Sequence, residues 1–215
     1  AKINLFLSVL GSRDDGFHEL LSLACPLDFG DWLMLEIRDG IGVDCLECDF
    51  PGLPLDGSNL ILRAVALFRK QHPFAGQVVV RLEKQIPIGA GLGGGSSNAA
   101  ATLWGLNNLL GGPLGPEVLS GLAATLGSDC PLFLEGGAVA VSGRGEVVEP
   151  LSDSVRKQLE GRGVLLLLPR LHVSTLWAYG RFLDIGEAFD SLVDSKDRIY
   201  SFLSGETSLE DCLHN

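Results

Sequence analysis

The segment "IPIGAGLGGGSSNAAA", residues 86–101, places five glycines within the seven positions from 89 to 95. Glycine lets backbone N–H groups approach a ligand closely. The apolar residues Ala99, Leu103 and Leu106 then recur at helical spacing, so the glycines open a helix, whose N-terminus favours anions. A flexible turn would need only two or three glycines, since each costs about 0.5–1 kcal/mol of conformational entropy. The segment therefore predicts a phosphate-binding loop.

Two familiar phosphate motifs do not account for this loop. Gly89, Gly91 and Gly94 have the spacing G-x-G-x-x-G of dinucleotide-binding folds. In those folds the glycines directly follow a buried strand, whereas here the charged and kinked segment "EKQIP" (83–87) intervenes. A Walker A loop requires a lysine after its last glycine, and none is present. What remains is a glycine-rich anion cradle, in which the Ser-Ser-Asn at 96–98 either caps the helix or donates to a phosphate.

Composition and charge narrow the class of protein. With 215 residues, 46% of them apolar, the chain can bury a core as one large or two small domains. The net charge of -11 argues against a nucleic-acid partner, because phosphate backbones bind clustered lysines and arginines. No apolar run approaches the ~20 residues that span a bilayer, and no signal peptide is apparent. We therefore expect a cytoplasmic protein with no membrane contact and no obligate protein partner.

The cysteines point to a reducing compartment. There are five of them, an odd number that does not indicate a disulfide framework. Cys45 and Cys48 form one isolated C-x-x-C without a second pair or a nearby histidine. We interpret them as ordinary buried thiols and predict no metal site in the protein itself.

Periodicity predicts a mixture of strands and helices. Strands are expected at 1–11, 17–27, 31–40 and 77–82, with Lys2 and Asn4 on the same face of the first strand as Phe6 and Ser8. Helices are expected within 58–73, capped by Ser58 or Asn59, after the glycine loop, and from Pro116 to Gly127. A loop and a hairpin follow at 128–151. The polar segment 152–162 then leads to a continuous apolar strand at 163–169, "GVLLLLP".

The glycine loop closely resembles the nucleotide loop of the GHMP small-molecule kinases. Two further segments, "AKINLFLSVLGSRDDGFHEL" (1–20) and "LGSDCPLFLEGGAVAVSGRGE" (126–146), resemble signature segments of one branch, the 4-diphosphocytidyl-2-C-methyl-D-erythritol kinase family. The similarity covers the chain almost end to end in three ordered motifs. It implies an α+β, two-domain GHMP kinase fold: a ribosomal-protein-S5-domain-2-like domain at 1–150 that binds ATP, and a ferredoxin-like C-terminal domain at 151–215, incomplete here.

The resemblance also implies an activity. Members of this family use ATP with Mg²⁺ to phosphorylate the 2-hydroxyl of a CDP-linked polyol, in the methylerythritol phosphate route to isoprenoids of bacteria. The catalytic lysine in the "AKIN" segment corresponds to Lys2, and the catalytic aspartate in "LGSDCP" corresponds to Asp129. Asp129 would orient the attacking hydroxyl or accept its proton, while Lys2 would keep Asp129 ionised and stabilise developing charge.

Substrate and nucleotide residues follow from the same matches. Asn4 corresponds to the asparagine beside the polyol, Phe17 would stack on the cytosine, His18 would hydrogen-bond its edge, and Tyr179 would close the aromatic sandwich. Phe17 replaces the tyrosine common in the family, which keeps the stacking face but loses a hydroxyl. The residues predicted to bind ATP are Pro87, Gly89, Gly91, Leu92, Gly93, Gly94, Gly95, Ser96, Ser97 and Asn98.

Two other functions remain open at this point. Another GHMP kinase, of the homoserine or mevalonate type, shares the loop, but "GFHEL" and "LGSDCP" argue against it. A non-catalytic nucleotide-binding module is the alternative from another class. The third glycine motif of the GHMP kinases is absent, and the chain ends at "LHN" where the family continues. We therefore expect a truncated second domain.

Overall fold

The structure is a computed structural model that describes residues 1–14, 16, 18–169, 177–178 and 192–213. Strands and helices occur in separate runs as well as in turn, beginning with four consecutive strands, which agrees with the α+β class. The strands are β1 (Lys2–Ser12), β2 (His18–Pro26), β3 (Trp32–Arg38), β4 (Cys45–Glu47), β5 (Gln77–Glu83), β6 (Val139–Gly143) and β7 (Val147–Pro150). The helices are α1 (Leu60–Gln71), α2 (Gly94–Leu109), α3 (Pro116–Leu126), α4 (Asp153–Leu159), α5 (Leu192–Ser204) and α6 (Leu209–Cys212), with a 3₁₀ turn at Pro131–Leu134.

The chain divides into two compact units, each assembled from segments that are distant in sequence. The first unit comprises Ala1, residues 27–88 and residues 92–136. The second comprises residues 2–26, 89–91 and 137–215. The boundary expected near residue 150 stays a prediction.

The first unit is built on a three-stranded sheet of order β3-β5-β4. β3 pairs with β5 antiparallel and β4 pairs with β5 parallel. Parallel neighbours need a crossover connection, which α1 supplies between β4 and β5. The helical faces expected from periodicity are buried, which confirms those predictions. The buried side chains are Ile61, Val65 and Phe68 on α1, Ala99, Leu103 and Leu106 on α2, and Leu119 and Leu126 on α3.

The helix ends follow capping rules. The side chain of Asn59 accepts a hydrogen bond from the Ile61 amide at 2.9 Å, which makes Asn59, rather than Ser58, the cap of α1. α3 begins at Pro116 and ends before Gly127, as the sequence predicts.

The second unit contains an antiparallel sheet of order β1-β2-β6-β7. β6 and β7 form the predicted hairpin. The pairing of β1 with β2 shifts between Asn4 and Phe6 and again between Val9 and Gly11. A bulge bends a strand and interrupts its alternation, so the side-chain faces predicted for β1 are not continuous beyond Asn4. Phe6 is fully buried in the core of this unit.

Two predictions after residue 150 are wrong. The segment 152–162, expected to be a polar connection, contains α4, because Val155 and Leu159 lie four residues apart and are buried in the core of the second unit. The segment 163–169, expected to be a strand, has no regular secondary structure, and Leu165 is 87% exposed. A strand needs a neighbour to accept its backbone hydrogen bonds, and no strand of the described residues pairs with this segment.

Candidate active site

The glycine loop owes its path to left-handed backbone conformations. Gly89, Gly91 and Gly93 have φ values of 72°, 73° and 70°. Residues other than glycine rarely adopt this left-handed backbone conformation, because their Cβ atom crowds the following carbonyl. Three alternate glycines therefore have a conformational reason to be glycine. Around Gly91 there is open space where a Cβ would lie.

The loop ends at the N-terminus of α2. Gly93 is the cap residue, so no side chain there can accept from the first amides of the helix. An α-helix leaves its first amides without intrahelical partners, and its dipole adds partial positive charge at the same end. The hydroxyl of Ser97 turns back to donate to the Gly94 carbonyl at 2.9 Å. This helix end therefore has the chemistry of an anion-binding site.

Gly94 is a glycine for a different reason. A Cβ at this position would lie 3.0 Å from Cγ2 of Ile86 and 3.2 Å from Nζ of Lys84. Such distances are tighter than ordinary packing, so the start of α2 rests directly on the segment that precedes the loop. At the neighbouring Gly95 a Cβ would make an ordinary 3.5 Å contact with Leu60.

A buried ion pair that the sequence analysis missed lies beneath this contact. Nζ of Lys84 lies 2.7 Å from Oδ2 of Asp31, and the two side chains are 4% and 0% exposed. Oδ1 of Asp31 accepts from the backbone amides of Gln85 and Ile86, both at 2.7 Å, and Oδ2 also accepts from Nδ2 of Asn98 at 2.8 Å. Lys84 donates a further short hydrogen bond to the Ile86 carbonyl.

Electrostatics keep this carboxylate ionised. Burial alone would raise the pKa of Asp31, but hydrogen bonds from the Lys84 ammonium, the two backbone amides and the Asn98 side chain together lower it below its ordinary value. In the sequence, Asp31 ends the segment "DFGD" (28–31), which has the composition of a turn, and Lys84 lies in the charged segment "EKQIP" (83–87). The sequence signal that could have indicated the pair is the position of Lys84, two residues from Leu82 and two from Ile86. Both apolar neighbours are buried in the structure.

The predicted catalytic aspartate lies in the turn between α3 and the 3₁₀ turn. Asp129 is half-buried, and the adjacent Cys130 is fully buried. Burial raises the pKa of the Cys130 thiol, and the nearby side chain of Ser96, in the first turn of α2, partly offsets that rise. Within the first unit, the helix that follows the glycine loop thus begins close to the residue beside Asp129.

The remaining predicted residues belong to the second unit. Nζ of Lys2 donates to Oδ1 of Asn4 at 3.0 Å, which confirms that both side chains lie on the same side of β1. His18 begins β2 and pairs with Ser12 of β1. Phe17 and Tyr179, the predicted cytosine-stacking residues, lie outside the described residues. Lys2 and Asp129 belong to different units, so their joint action stays a prediction.

In the described part of the chain, no group of three or more His, Cys, Asp or Glu side chains is arranged to hold a metal ion. All five cysteines, including Cys45 and Cys48, are free thiols. In the same residues, none of the helices has the length and apolar character needed to cross a bilayer.

Comparison with known proteins gives a family for the glycine loop. Residues 59–137 match the N-terminal domain of the GHMP kinases. This range runs from the cap of α1 to the start of the β6 hairpin and includes the glycine loop, the buried ion pair's lysine and Asp129.

Curated relatives cover most of the chain. A protein of Prochlorococcus marinus (strain AS9601) named 4-diphosphocytidyl-2-C-methyl-D-erythritol kinase is 47% identical over 182 residues, which are 85% of this chain and 57% of that protein. A chloroplastic protein of the same name from Arabidopsis thaliana is 40% identical over 84% of this chain and 46% of its own length. The chain thus spans about half the length of the curated relatives it matches.

Solved structures agree on the fold. A crystal structure of 4-(cytidine 5'-diphospho)-2C-methyl-D-erythritol kinase superposes with a TM-score of 0.59 at 41% identity, over 71% of this chain and 53% of that one. A homoserine kinase from Cytophaga hutchinsonii superposes with a TM-score of 0.58 at 19% identity, over 100% of this chain and 72% of that one, and shows the fold alone. The chain therefore contains the N-terminal domain of the GHMP kinases, and over most of its length it is similar to proteins named 4-diphosphocytidyl-2-C-methyl-D-erythritol kinase.

Proposed function

We propose that the protein transfers the γ-phosphoryl group of ATP to the 2-hydroxyl of 4-diphosphocytidyl-2-C-methyl-D-erythritol. The observation that carries this proposal is the left-handed glycine loop at the N-terminus of α2, in a chain 47% identical to a kinase of that name. The conformation of the loop supports the binding of a polyphosphate such as that of ATP. The names of the relatives support the identity of the acceptor.

The reaction asks the protein mainly for positioning and charge stabilisation. The 2-hydroxyl oxygen attacks the γ-phosphorus, the bond from that phosphorus to the oxygen bridging to ADP breaks, and the hydroxyl proton passes to the Asp129 carboxylate. Lys2 supplies positive charge near the transferred group. The roles of both residues rest on the family's motifs at these positions.

The hydrogen bond between Lys2 and Asn4 supports a role for both in holding the acceptor. Because Oδ1 of Asn4 accepts from Lys2, Nδ2 is the end of the amide that can donate to a polyol hydroxyl. At the nucleoside end, Phe17 and Tyr179 would stack on the cytosine and His18 would hydrogen-bond its edge.

Mg²⁺ would arrive on ATP, as it does for other phosphoryl-transfer enzymes that bind the metal through substrate phosphates. The loop amides from Gly89 to Gly95 and the hydroxyls of Ser96 and Ser97 would face the phosphates, the Ser97 hydroxyl after exchanging the Gly94 carbonyl for a phosphate oxygen. We assign the ion no protein ligand. Asn98, whose amide donates to Asp31, would act through the loop's geometry as well as by any contact with ATP. We also propose a cytoplasmic location and action without an obligate protein partner, which agrees with five free thiols.

An acceptor panel tests the reaction. The full-length protein is incubated with Mg·ATP and either the CDP-linked polyol, homoserine or mevalonate, and ADP release and the new phosphate ester are measured. Transfer to the CDP-linked polyol alone is expected. Transfer to homoserine or mevalonate would assign another GHMP kinase activity, and ATP binding without transfer to any acceptor would favour a non-catalytic nucleotide-binding module.

Replacement of the predicted base tests the mechanism. Asp129→Asn should retain ATP binding and lose transfer, because the amide cannot accept the hydroxyl proton. Asp39→Asn, at an exposed turn, is the matched control and should keep full activity. Undiminished turnover in Asp129→Asn would refute the assignment of the base.

A further inference from the structure

The hydrogen bonds of Asp31 join the two ends of the glycine loop. Gln85 and Ile86, whose amides donate to Oδ1, directly precede the loop. Asn98, whose side chain donates to Oδ2, lies in the second turn of α2, directly after the loop. One fully buried carboxylate therefore spans the sequence gap between residues 86 and 98.

We propose that Asp31 is a positioning residue of the nucleotide loop, which holds the loop's two ends at a fixed separation so that its amides meet the phosphates of ATP. This inference rests on the proposed function of the loop. Asp31 itself touches no substrate. It acts through Gln85, Ile86 and Asn98.

The chemistry of the pair favours positioning over simple stabilisation. Replacing a buried ion pair by apolar residues of similar volume is often neutral or stabilising, so a core does not need a buried carboxylate for its stability. Apolar side chains cannot give direction to backbone amides, whereas a carboxylate with four acceptor sites can hold several donors at set angles. Asp31 uses this capacity on donors from both sides of the loop.

Lys84 adds further contacts to the hydrogen-bonded group around Asp31. It pairs with Asp31, donates to the Ile86 carbonyl, and would be in tight contact with any side chain at Gly94. The segment before the loop, the lysine and the first residue of α2 are thus in direct contact. A shift of Asp31 would be passed to both loop ends.

A steady-state comparison in the full-length protein tests the inference. Asp31→Asn keeps the size of the side chain but turns a donor toward Lys84 or Asn98, so the KM for ATP should rise roughly 10- to 100-fold, as small displacements of binding groups produce. The KM for the CDP-linked polyol should change little. The matched control is Asp44→Asn, because Asp44 likewise forms an ion pair, with Arg69, and accepts from a backbone amide, but at the opposite end of β5.

A second variant separates positioning from folding. Asp31→Leu combined with Lys84→Met replaces the ion pair by apolar groups, which restores burial without an unpaired charge. If this variant unfolds at the temperature of the parent protein and its KM for ATP is still raised, Asp31 positions the loop. If the KM for ATP returns to the parent value, Asp31 is only structural and the inference is overturned.

Amide hydrogen exchange gives a readout that needs no nucleotide. Without ATP, exchange of residues 88–97 should be faster in Asp31→Asn and in the double variant than in the parent and in Asp44→Asn. Equal exchange in all four proteins would overturn the inference. If the parent shows no transfer to any acceptor, the proposed function fails, and the exchange comparison alone then decides whether Asp31 holds the loop.

Discussion

Two aspartates hold the two ends of β5, and they differ in burial. At the start of the strand, Oδ1 of Asp44 accepts from the Val78 amide at 2.8 Å and from Arg69 at 2.7 Å. The side chains of Asp44 and Arg69 are 25% and 28% exposed, and the Arg69 guanidinium also lies 4.1 Å from the centroid of the Phe74 ring. At the other end, Asp31 and Lys84 are almost completely withdrawn from water.

The difference teaches what burial does to the same chemistry. A partly exposed pair keeps water as a substitute partner, so losing one member costs little. A buried pair has no such substitute, and its remaining member becomes an uncompensated charge in the core. The buried pair adjoins the glycine loop, whereas the exposed pair adjoins a turn at 72–76 with no predicted role.

The largest expected effect comes from removing the buried carboxylate of Asp31. Asp31→Asn should lower the free energy of unfolding by about 3–5 kcal/mol, the range for breaking a buried pair, whereas Asp44→Asn should lower it by about 1 kcal/mol. Denaturant unfolding followed by circular dichroism measures both. Equal losses in the two variants would mean that burial does not distinguish the two ends of β5.

Two neighbouring glycines sharpen the comparison at the buried end. Gly94→Ala should lower the free energy of unfolding by about 1–3 kcal/mol, because its methyl group would press on Ile86 and Lys84. Gly95→Ala, with an ordinary contact to Leu60, should raise it by up to about 1 kcal/mol through helix propensity. Thermal unfolding of the two variants should shift in opposite directions, and a shared direction would contradict the contact argument.

Acid should weaken the buried end. Because the pKa of Asp31 is below its ordinary value in the folded protein, its contribution is present above the ordinary carboxyl range and is lost as pH falls through the lowered pKa. In Asp31→Asn this dependence is absent, so stability should fall less steeply than in the parent as the pH drops below about 4, the ordinary carboxyl range. Unfolding measured across this range checks the slopes, and parallel curves would show that Asp31 does not titrate as inferred.

The smallest effect is expected at an exposed pair in the middle of the same sheet. Arg81 on β5 pairs with Glu47 on β4 at 2.8 Å, and both side chains are about half exposed, at 48% and 51%. Glu47→Gln should change the free energy of unfolding by less than about 1 kcal/mol and leave the KM for ATP unchanged. A loss as large as that of Asp31→Asn would remove burial as the explanation for the difference.

Much of the first unit could be predicted from the sequence because its signals are local. The spacing of Ile61, Val65 and Phe68 predicted α1, and the five glycines before Ala99 predicted a loop opening α2. After residue 150 local signals misled. The apolar run at 163–169 has strand composition but no described partner, and α4 is short and polar enough to resemble a connection.

The candidate site divides in the same way. The motifs that nominate Lys2, Asp129 and the loop are contiguous in sequence, and the hydrogen bond from Lys2 to Asn4 follows from alternation along a single strand. Asp31 could not be found in this manner. It lies 53 residues from Lys84 and 67 from Asn98, and in isolation it looks like a turn residue.

The sequence by itself determined the α+β class, the glycine loop and the kinase resemblance, because these depend on residue types at short, fixed spacings. Only the tertiary structure decided that Lys84 and Asp31 are buried together and that a side chain at Gly94 would press on Ile86 and Lys84. The physical reason is that burial and pairing depend on which distant segments meet, and the free energy of a charge depends on that environment more than on its neighbours in sequence.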